Sequence, residues 1–171
     1  MYCDAAGSLI LQKRTTVNTR VAALCLLLFL GSCNSGGVIE NNARIPDSKW
    51  SSSFTPSFQF SIQDTSSRYN VYIVIRHLNA YRYKNLWLEL GIQVPGEAPM
   101  REQRNLILAT DGNGWLGQGM DDIFEHRILL NSQPAAFRKK GTYTYTLKHL
   151  MREDPLEYLM NAGIRIEKAM D

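Results

Sequence analysis

A run of ten apolar residues, Val21 to Leu30, constrains the fold of this chain more than any other feature. It is too short for a membrane-spanning helix, which needs about 20 apolar residues, and it fits the apolar core of a signal peptide, about 7 to 15 residues long. Basic residues precede it, as signal peptides require: Lys13, Arg14 and Arg20. The sequence therefore predicts export, although an uncleaved N-terminal anchor or a disordered tail stays open as the alternative.

The apolar run ends in the sequence Leu30-Gly31-Ser32-Cys33. This is the lipobox pattern, in which a branched apolar residue and two small residues precede a cysteine that is acylated, commonly with palmitate. Cleavage before Cys33 would make it the first residue of the mature chain. We therefore predict signal-peptide recognition by Leu30, Gly31 and Ser32, and lipidation of Cys33.

The other two cysteines support this choice of site. Cys25 follows the bulky Leu24, and Cys3 has no apolar run before it, so neither fits the lipidated position. Both would be removed with the leader, which excludes an intramolecular disulfide in the mature protein. The leader is longer than a signal peptide needs, and we expect the natural start to lie near Val17.

The charge balance changes once the leader is set aside. The full chain has 19 basic and 16 acidic residues, and residues 1–32 hold three of the former and one of the latter, which leaves 16 against 15. The remaining net charge of +1 lacks the excess of basic residues that nucleic-acid binding requires. We therefore predict no nucleic-acid partner.

Three segments follow from this organisation. Residues 1–32 form the signal peptide, and residues 33–53 are the lipidated cysteine followed by a tether rich in Gly, Ser and Asn. Such a tether is predicted to be flexible and to hold the domain about 25 Å from the bilayer. Residues 54–171 are then one domain.

The predicted domain is dominated by a period of two, which is typical of strands with one buried face. The clearest apolar alternations are Phe58 to Ile62, Tyr69 to Ile75, Leu86 to Val94 and Tyr143 to Leu147. Weaker strands are expected at 101–109, 123–130 and 163–168. Turn-forming residues separate these strands: Pro95-Gly96, Asp111 to Gly114, Asn131 to Pro134 and Lys140-Gly141.

This spacing predicts an all-β fold, a single antiparallel β-sandwich of immunoglobulin-like or jelly-roll-like type. One short C-terminal helix is also expected. Asp154 can cap it, Pro155 suits its first turn, Leu156, Leu159 and Met160 share a face, and Gly163 can end it.

The polar residues give no convincing reactive centre. Asp111-Gly112-Asn113-Gly114 begins like a calcium loop but lacks the later glutamate, so a glycine-rich turn is favoured. Asp121, Asp122, Glu125 and His126 could bind a cation, or Asp121, Glu125 and His126 could serve a hydrolase, but nothing in the sequence fixes their geometry. His77, His126 and His149 lack metal-ligand spacing and are each predicted to be surface or strand-end residues. We predict no catalytic residue, no metal site and no cofactor.

The aromatic residues offer a better candidate site. Tyr72 and Trp87 belong to an aromatic-rich stretch, residues 69–87, which also contains Tyr69, Tyr81 and Tyr83. Trp115 lies in the glycine-rich loop. Exposed rings of this kind stack on sugars or anchor protein partners. A binding surface of Tyr72, Trp87 and Trp115 is one interpretation, and core packing of the same rings is the other.

Several segments resemble one known family, in the same order and over nearly all of the predicted domain. The sequence is similar to the GldH family of gliding-motility lipoproteins of the Bacteroidetes at SRYNVYIVIRHLNAY (67–81), KNLWLEL (84–90), DGNGWLGQG (111–119), DDIFEHR (121–127), GTYTYTL (141–147), MREDPL (151–156) and GIRIEK (163–168).

The resemblance implies an outer-membrane lipoprotein that works with other gliding-motility envelope proteins, is linked to type IX secretion, and has a non-catalytic interaction or scaffold role. In that phylum surface-exported lipoproteins tend to carry acidic residues after the lipidated cysteine, and Asn34 to Gly37 contains none. This favours the periplasmic face. A glycan-binding envelope lipoprotein is the alternative function.

Overall fold

A computed structural model describes residues 37–170 of the chain. Its strands form two main antiparallel sheets. The six-stranded sheet has the order β1 (Val38–Arg44), β14 (Leu159–Lys168), β4 (Arg68–Leu78), β10 (Ile123–Leu129) and β9 (Gln118–Met120), with β11 (Ala135–Ala136) also paired to β4. The four-stranded sheet has the order β3 (Ser57–Ile62), β12 (Gly141–His149), β5 (Asn85–Gln93) and β6 (Met100–Ile107).

Two short ribbons complete the fold. β2 (Lys49–Trp50) pairs with β13 (Leu156–Glu157), and β7 (Ala109–Thr110) pairs with β8 (Gly114–Trp115). The glycine-rich sequence 111–114 therefore lies at the turn of a hairpin, as favoured over a calcium loop. Within the described residues, no helix is long and apolar enough to cross a bilayer.

The apolar alternations determine which face of each strand is buried. In β3 the residues Phe58, Phe60 and Ile62 are buried and their neighbours are exposed. Leu86, Leu88 and Leu90 of β5 are also buried, and this strand lies between β12 and β6. These side chains pack with buried residues of the other sheet, among them Ile73, Ile75 and Ile164, in one shared core. The predicted all-β sandwich is confirmed at this level.

The predicted C-terminal helix is wrong. Residues 156–168 instead form β13 and β14, and β14 pairs with β1 on one side and β4 on the other. Leu159, Ala162, Ile164 and Ile166 are all buried, and β14 is an interior strand of the six-stranded sheet, between β1 and β4. Gly163 does not end a helix: a Cβ at this position would lie 2.6 Å from the carbonyl oxygen of Asn41 in the adjacent strand. Tertiary pairing overrides the local helix signals.

The folded domain also begins earlier than the predicted boundary at residue 54. β1 covers Val38–Arg44, Ile45 is buried, and Trp50 is completely buried with its indole Nε1 donating to the carbonyl oxygen of Phe54 at 2.8 Å. Residues 38–53 of the expected tether therefore belong to the sandwich. Their Gly, Ser and Asn content was misleading because a short edge strand and its turns need few apolar residues.

The strands run between two ends of the sandwich. We call the near end the one where β1 begins, together with the loops 63–67, 94–99 and 130–140 and the end of β14. Lys168 N–H donates to the Gly37 carbonyl there at 2.8 Å. The far end holds the end of β1, the loop after β4, the β7–β8 hairpin and residues 150–158.

Candidate functional site

All three histidines are buried, so none of them is a surface residue as one form of the prediction had it. His149 is nevertheless the last residue of β12, and His77 is the second last of β4. His77 lies on β4 two positions after the buried Ile75, and His126 lies opposite Ile75 on the neighbouring strand. Both imidazoles therefore face the interior. His149 follows Leu147 by two positions on β12 and packs edge-on against Trp50.

His77 and His126 are in direct contact. Their Nε2 atoms are 2.9 Å apart, and His77 Nδ1 is 2.8 Å from the Leu78 carbonyl oxygen. A carbonyl can only accept, so His77 Nδ1 carries the proton and donates to it. His77 Nε2 is then an acceptor, and His126 Nε2–H donates to it. Both rings are neutral in this chain of two hydrogen bonds, which runs from His126 to His77 and from His77 to the Leu78 carbonyl.

Aromatic rings enclose this pair. Trp115 lies with its ring centroid 4.4 Å from that of His77, Tyr81 is at 5.3 Å and Phe124 at 5.8 Å. Burial lowers the pKa of His77, and burial together with the nearby His77 lowers the pKa of His126 to about 4. The cluster is thus uncharged at neutral pH, and the low dielectric of its surroundings strengthens its hydrogen bonds.

The histidine cluster is not built to hold a metal. Both Nε2 atoms are engaged with each other, and among residues 37–170 no group of three or more His, Cys, Asp or Glu side chains could hold an ion. Glu125 and His126 are adjacent on one strand and point to opposite faces, since Glu125 pairs with Arg76 and Arg127 on the outer face. The residues considered for a hydrolase, Asp121, Glu125 and His126, therefore do not converge.

The three aromatic residues of the predicted binding surface are not brought together. Tyr72 alternates with the buried Ile73 and lies half-buried on the outer face of the six-stranded sheet, whereas Trp87 belongs to the four-stranded sheet. Trp115 packs into the histidine cluster, and its Nε1 donates to Asn79 Oδ1 at 2.9 Å. Of the three, Trp87 has the most open ring, with 42% of the residue exposed.

Trp87 lines a groove of about 290 Å³ near the far end, together with Tyr83, Asn85, Leu150, Met151 and Arg152. We call this the Trp87 groove. Tyr83 is fixed by a hydrogen bond from its hydroxyl to Glu153 at 2.8 Å, and the Asn85 amide donates to Asn105 Oδ1 at 2.7 Å beside the indole. An exposed indole and Leu150 beside fixed polar groups can accept an apolar side chain or the face of a sugar ring.

Sequence reasoning found Trp87 but missed its partners in the groove. Leu150 and Met151 come from the segment after β12, which lies beside β5 because Leu150 N–H donates to the Trp87 carbonyl at 2.8 Å. Such a long-range contact leaves no local signal in the sequence.

The outer face of the six-stranded sheet is a network of ion pairs. Arg165 pairs with Glu40 at 2.7 Å and also with Glu167, and Arg127 pairs with Glu125 at 2.7 Å. Burial alone would raise the pKa of Glu40, but hydrogen bonds from Arg165 and Asn42 lower it overall. Because these charges largely compensate each other, this face offers no strong site for a charged ligand.

Fold and sites together define a class: an all-antiparallel β-sandwich domain that presents an aromatic groove at one end. The family described as GldH lipoprotein matches residues 37–166, nearly all of the described domain. The chain therefore belongs to the GldH lipoprotein family.

Two relatives are similar over most of their length. A protein of Christiangramia forsetii named gliding motility lipoprotein GldH homolog is 26% identical over 163 residues, 91% of this chain and 98% of the relative. The gliding motility lipoprotein GldH of Flavobacterium johnsoniae is 25% identical over 158 residues, 88% and 96% of the two chains. A chain from a structure of infectious bursal disease virus is 12% identical over 81% of this chain and 39% of its own, and its TM-score of 0.21 supports no relationship.

Proposed function

We propose that this protein is a lipid-anchored, non-catalytic interaction or scaffold component of a gliding-motility apparatus, linked to type IX secretion. The observation that carries the proposal is the family match across residues 37–166, together with two relatives whose names state gliding motility. Other motility or secretion proteins of the envelope are then its partners.

The anchor is proposed to be Cys33, which is acylated before the chain is cleaved between Ser32 and Cys33. The lipobox Leu30-Gly31-Ser32-Cys33 supports this, and several acyl chains hold a protein to lipid far more firmly than one. The non-acidic sequence after Cys33 favours the periplasmic face of the outer membrane. Replacing Cys33 with alanine should abolish incorporation of labelled palmitate and release the protein from membranes; retention of both would refute the anchor.

The Trp87 groove is the surface that we assign to partner binding. It combines an exposed indole with Leu150, and rings of this kind dominate the energy of many protein interfaces. The test is crosslinking and co-purification from gently solubilised envelopes, with Trp87→Ala compared with Leu129→Ala, which removes an exposed side chain from the outer face of the other sheet. Loss of partners from Trp87→Ala alone supports the assignment, whereas isolation of the parent protein as a lone monomer contradicts the scaffold role.

A glycan-binding function is the second candidate. It is favoured by the amide pair of Asn85 and Asn105 beside the open face of Trp87, since amides can bond sugar hydroxyls while the indole stacks on the ring. Polysaccharide binding that disappears in Trp87→Ala, with partner co-purification unchanged, would select this function over the scaffold.

A further inference from the structure

The distance between the proposed lipid and the folded domain is short. β1 begins at Val38, and Gly37 is already bonded to Lys168, so only four peptide steps separate Cys33 from the sandwich. Four extended residues span at most about 14 Å. A tether of this length cannot hold the domain 25 Å away from the bilayer, and it brings the near end of the sandwich to the lipid headgroups.

The near end is basic. Within residues 37–170, its loops and strand ends contain five basic residues, Arg68, Arg138, Lys139, Lys140 and Lys168, and two acidic ones, Asp64 and Glu97. All five basic side chains belong to exposed residues. They come from three separate stretches of chain that the fold brings to one end, so the cluster is not apparent in the sequence.

Two of these charges are paired within the domain. Lys139 lies 2.8 Å from Glu97, and Lys168 lies 3.5 Å from Asp64. Arg68, Arg138 and Lys140 have no carboxylate within 4.0 Å among residues 37–170. Three charges at this end are therefore available to an outside anion.

The far end has the opposite balance. Its loops and strand ends hold five basic residues, Arg44, Lys49, Arg82, Lys84 and Arg152, against seven acidic ones, Asp47, Asp111, Asp121, Asp122, Glu153, Asp154 and Glu157. The sandwich is thus a charge dipole, positive where the lipid anchor enters. Charges within about a Debye length of a membrane, roughly 8 to 10 Å, are the ones that its surface potential acts on.

We propose that the near end of the sandwich lies on the anionic phospholipid headgroups of the leaflet that holds the acyl chains of Cys33. This inference rests on the proposed acylation of Cys33. Arg68, Arg138 and Lys140 contact headgroup phosphates, and the sandwich stands with its far end, including the Trp87 groove, directed away from the bilayer.

The mature chain suits a direct test, because Cys33 is acylated and the other cysteines leave with the leader. A thiol introduced at Ala136, an exposed residue of the near end, or at Asp122, exposed at the far end, can therefore be labelled alone. The acylated proteins are labelled with a fluorophore and placed in liposomes of phosphatidylethanolamine and phosphatidylglycerol that carry a headgroup quencher. Quenching should be several-fold stronger for Ala136→Cys than for Asp122→Cys, and equal quenching overturns the inference.

Charge variants separate headgroup binding from the short tether alone. Combining Ala136→Cys with Arg138→Glu, Lys139→Glu and Lys140→Glu should reduce its quenching towards that of Asp122→Cys, as should replacing phosphatidylglycerol by phosphatidylcholine. The matched control, Lys49→Glu with Lys84→Glu and Arg152→Glu at the far end, should leave the quenching unchanged. Insensitivity to both changes overturns the role of the basic residues.

The mass of the N-terminal peptide is measured on the same samples. An acylated Cys33 with no difference between the two labels refutes only the orientation. An unmodified Cys33 refutes the anchor in the proposed function itself.

Discussion

The Nε2 atoms of His77 and His126 lie 2.9 Å apart on the inward faces of two neighbouring strands. One ring donates to the other, and the second donates onward to the Leu78 carbonyl. A second proton on His77 would occupy the Nε2 acceptor that this arrangement needs. A second proton on either ring would also place a charge among the aromatic rings of Trp115, Phe124 and Tyr81. The pair therefore links the stability of the far end to pH.

Stability should fall as the pH drops below about 6.5. The pKa values of His77, His126 and His149 are all lowered mainly by burial, that of His126 to about 4, while an unfolded histidine titrates near 6.5. Between pH 6.5 and pH 4 the unfolded chain binds more protons than the folded chain does. The free energy of unfolding therefore has its largest value above about pH 6.5 and decreases as the pH falls towards 4. For His126 the loss is on the order of 3 kcal/mol. Urea denaturation between pH 4 and 7.5 measures it.

A variant pair attributes this slope to the histidine. His126→Gln keeps a donor towards His77 but cannot be protonated, so its stability should depend less steeply on pH than that of the parent. Phe124→Leu perturbs the same cluster without removing a titrating group, and its slope should match the parent. A slope in His126→Gln as steep as in the parent would contradict the assignment.

Trp50→Ala should destabilise the domain by about 3 to 5 kcal/mol, the usual cost of emptying a large core site. Trp50 is completely buried and packs against His149 with ring centroids 5.7 Å apart, although it lies in the segment expected to be a tether. Trp87→Ala is the control and should cost at most about 1 kcal/mol, because its ring is largely exposed. Equal effects in chemical denaturation would mean that residues 38–53 do not belong to the core.

Gly163→Ala tests how closely β14 approaches β1. A methyl group there would lie 1.8 Å from Asn42 Oδ1 and 2.6 Å from the Asn41 carbonyl oxygen, so we expect a loss of about 1 to 3 kcal/mol. Gly112→Ala meets no atom within 4 Å and should change stability by no more than about 0.5 kcal/mol. Thermal melts that coincide for the two variants would contradict the close approach of residue 163 to β1.

Glu102→Val with Arg104→Val should promote self-association. Both residues belong to β6, which forms an edge of the four-stranded sheet. Glu102 lies opposite Leu90 of β5 and Arg104 lies opposite Leu88, and the two charged side chains pair with each other at 2.8 Å. Inward-pointing charges on an edge strand oppose pairing with another molecule. Sedimentation velocity at increasing concentration should detect oligomers of this variant but not of Thr142→Val with Thr144→Val on the interior strand β12. A variant with the same sedimentation as the parent would contradict a protective role.

The alternating strands could be predicted because each carries its own signal. Phe58 to Ile62 and Leu86 to Leu90 have the burial that a period of two implies. The histidines follow the same period of two, because each lies two positions after an inward-facing residue of its strand. The pairs are Ile75 and His77 on β4, Phe124 and His126 on β10, and Leu147 and His149 on β12. Treating histidine as a surface residue, rather than following the alternation, caused that error.

Other features depend on contacts that a single sequence does not encode locally. Asp154, Pro155 and Gly163 have the residue types of helix ends, but the pairing of β14 with β1 and β4 outweighs a short local preference. The Trp87 groove and the basic near end each combine segments far apart in the chain. Their residues were visible, but their proximity was not.

The place of β1 has a mechanical consequence. All seven residues of β1 are paired with β14, and the strand runs from the near end to the far end. If the lipid pulls at Gly37 while a moving partner pulls at the Trp87 groove, the load is parallel to the strands. The hydrogen bonds of the β1–β14 ladder are then loaded in shear and share the force together, whereas a pull from the side would open them one after another. Such an arrangement suits a protein that stays attached while a motility apparatus moves.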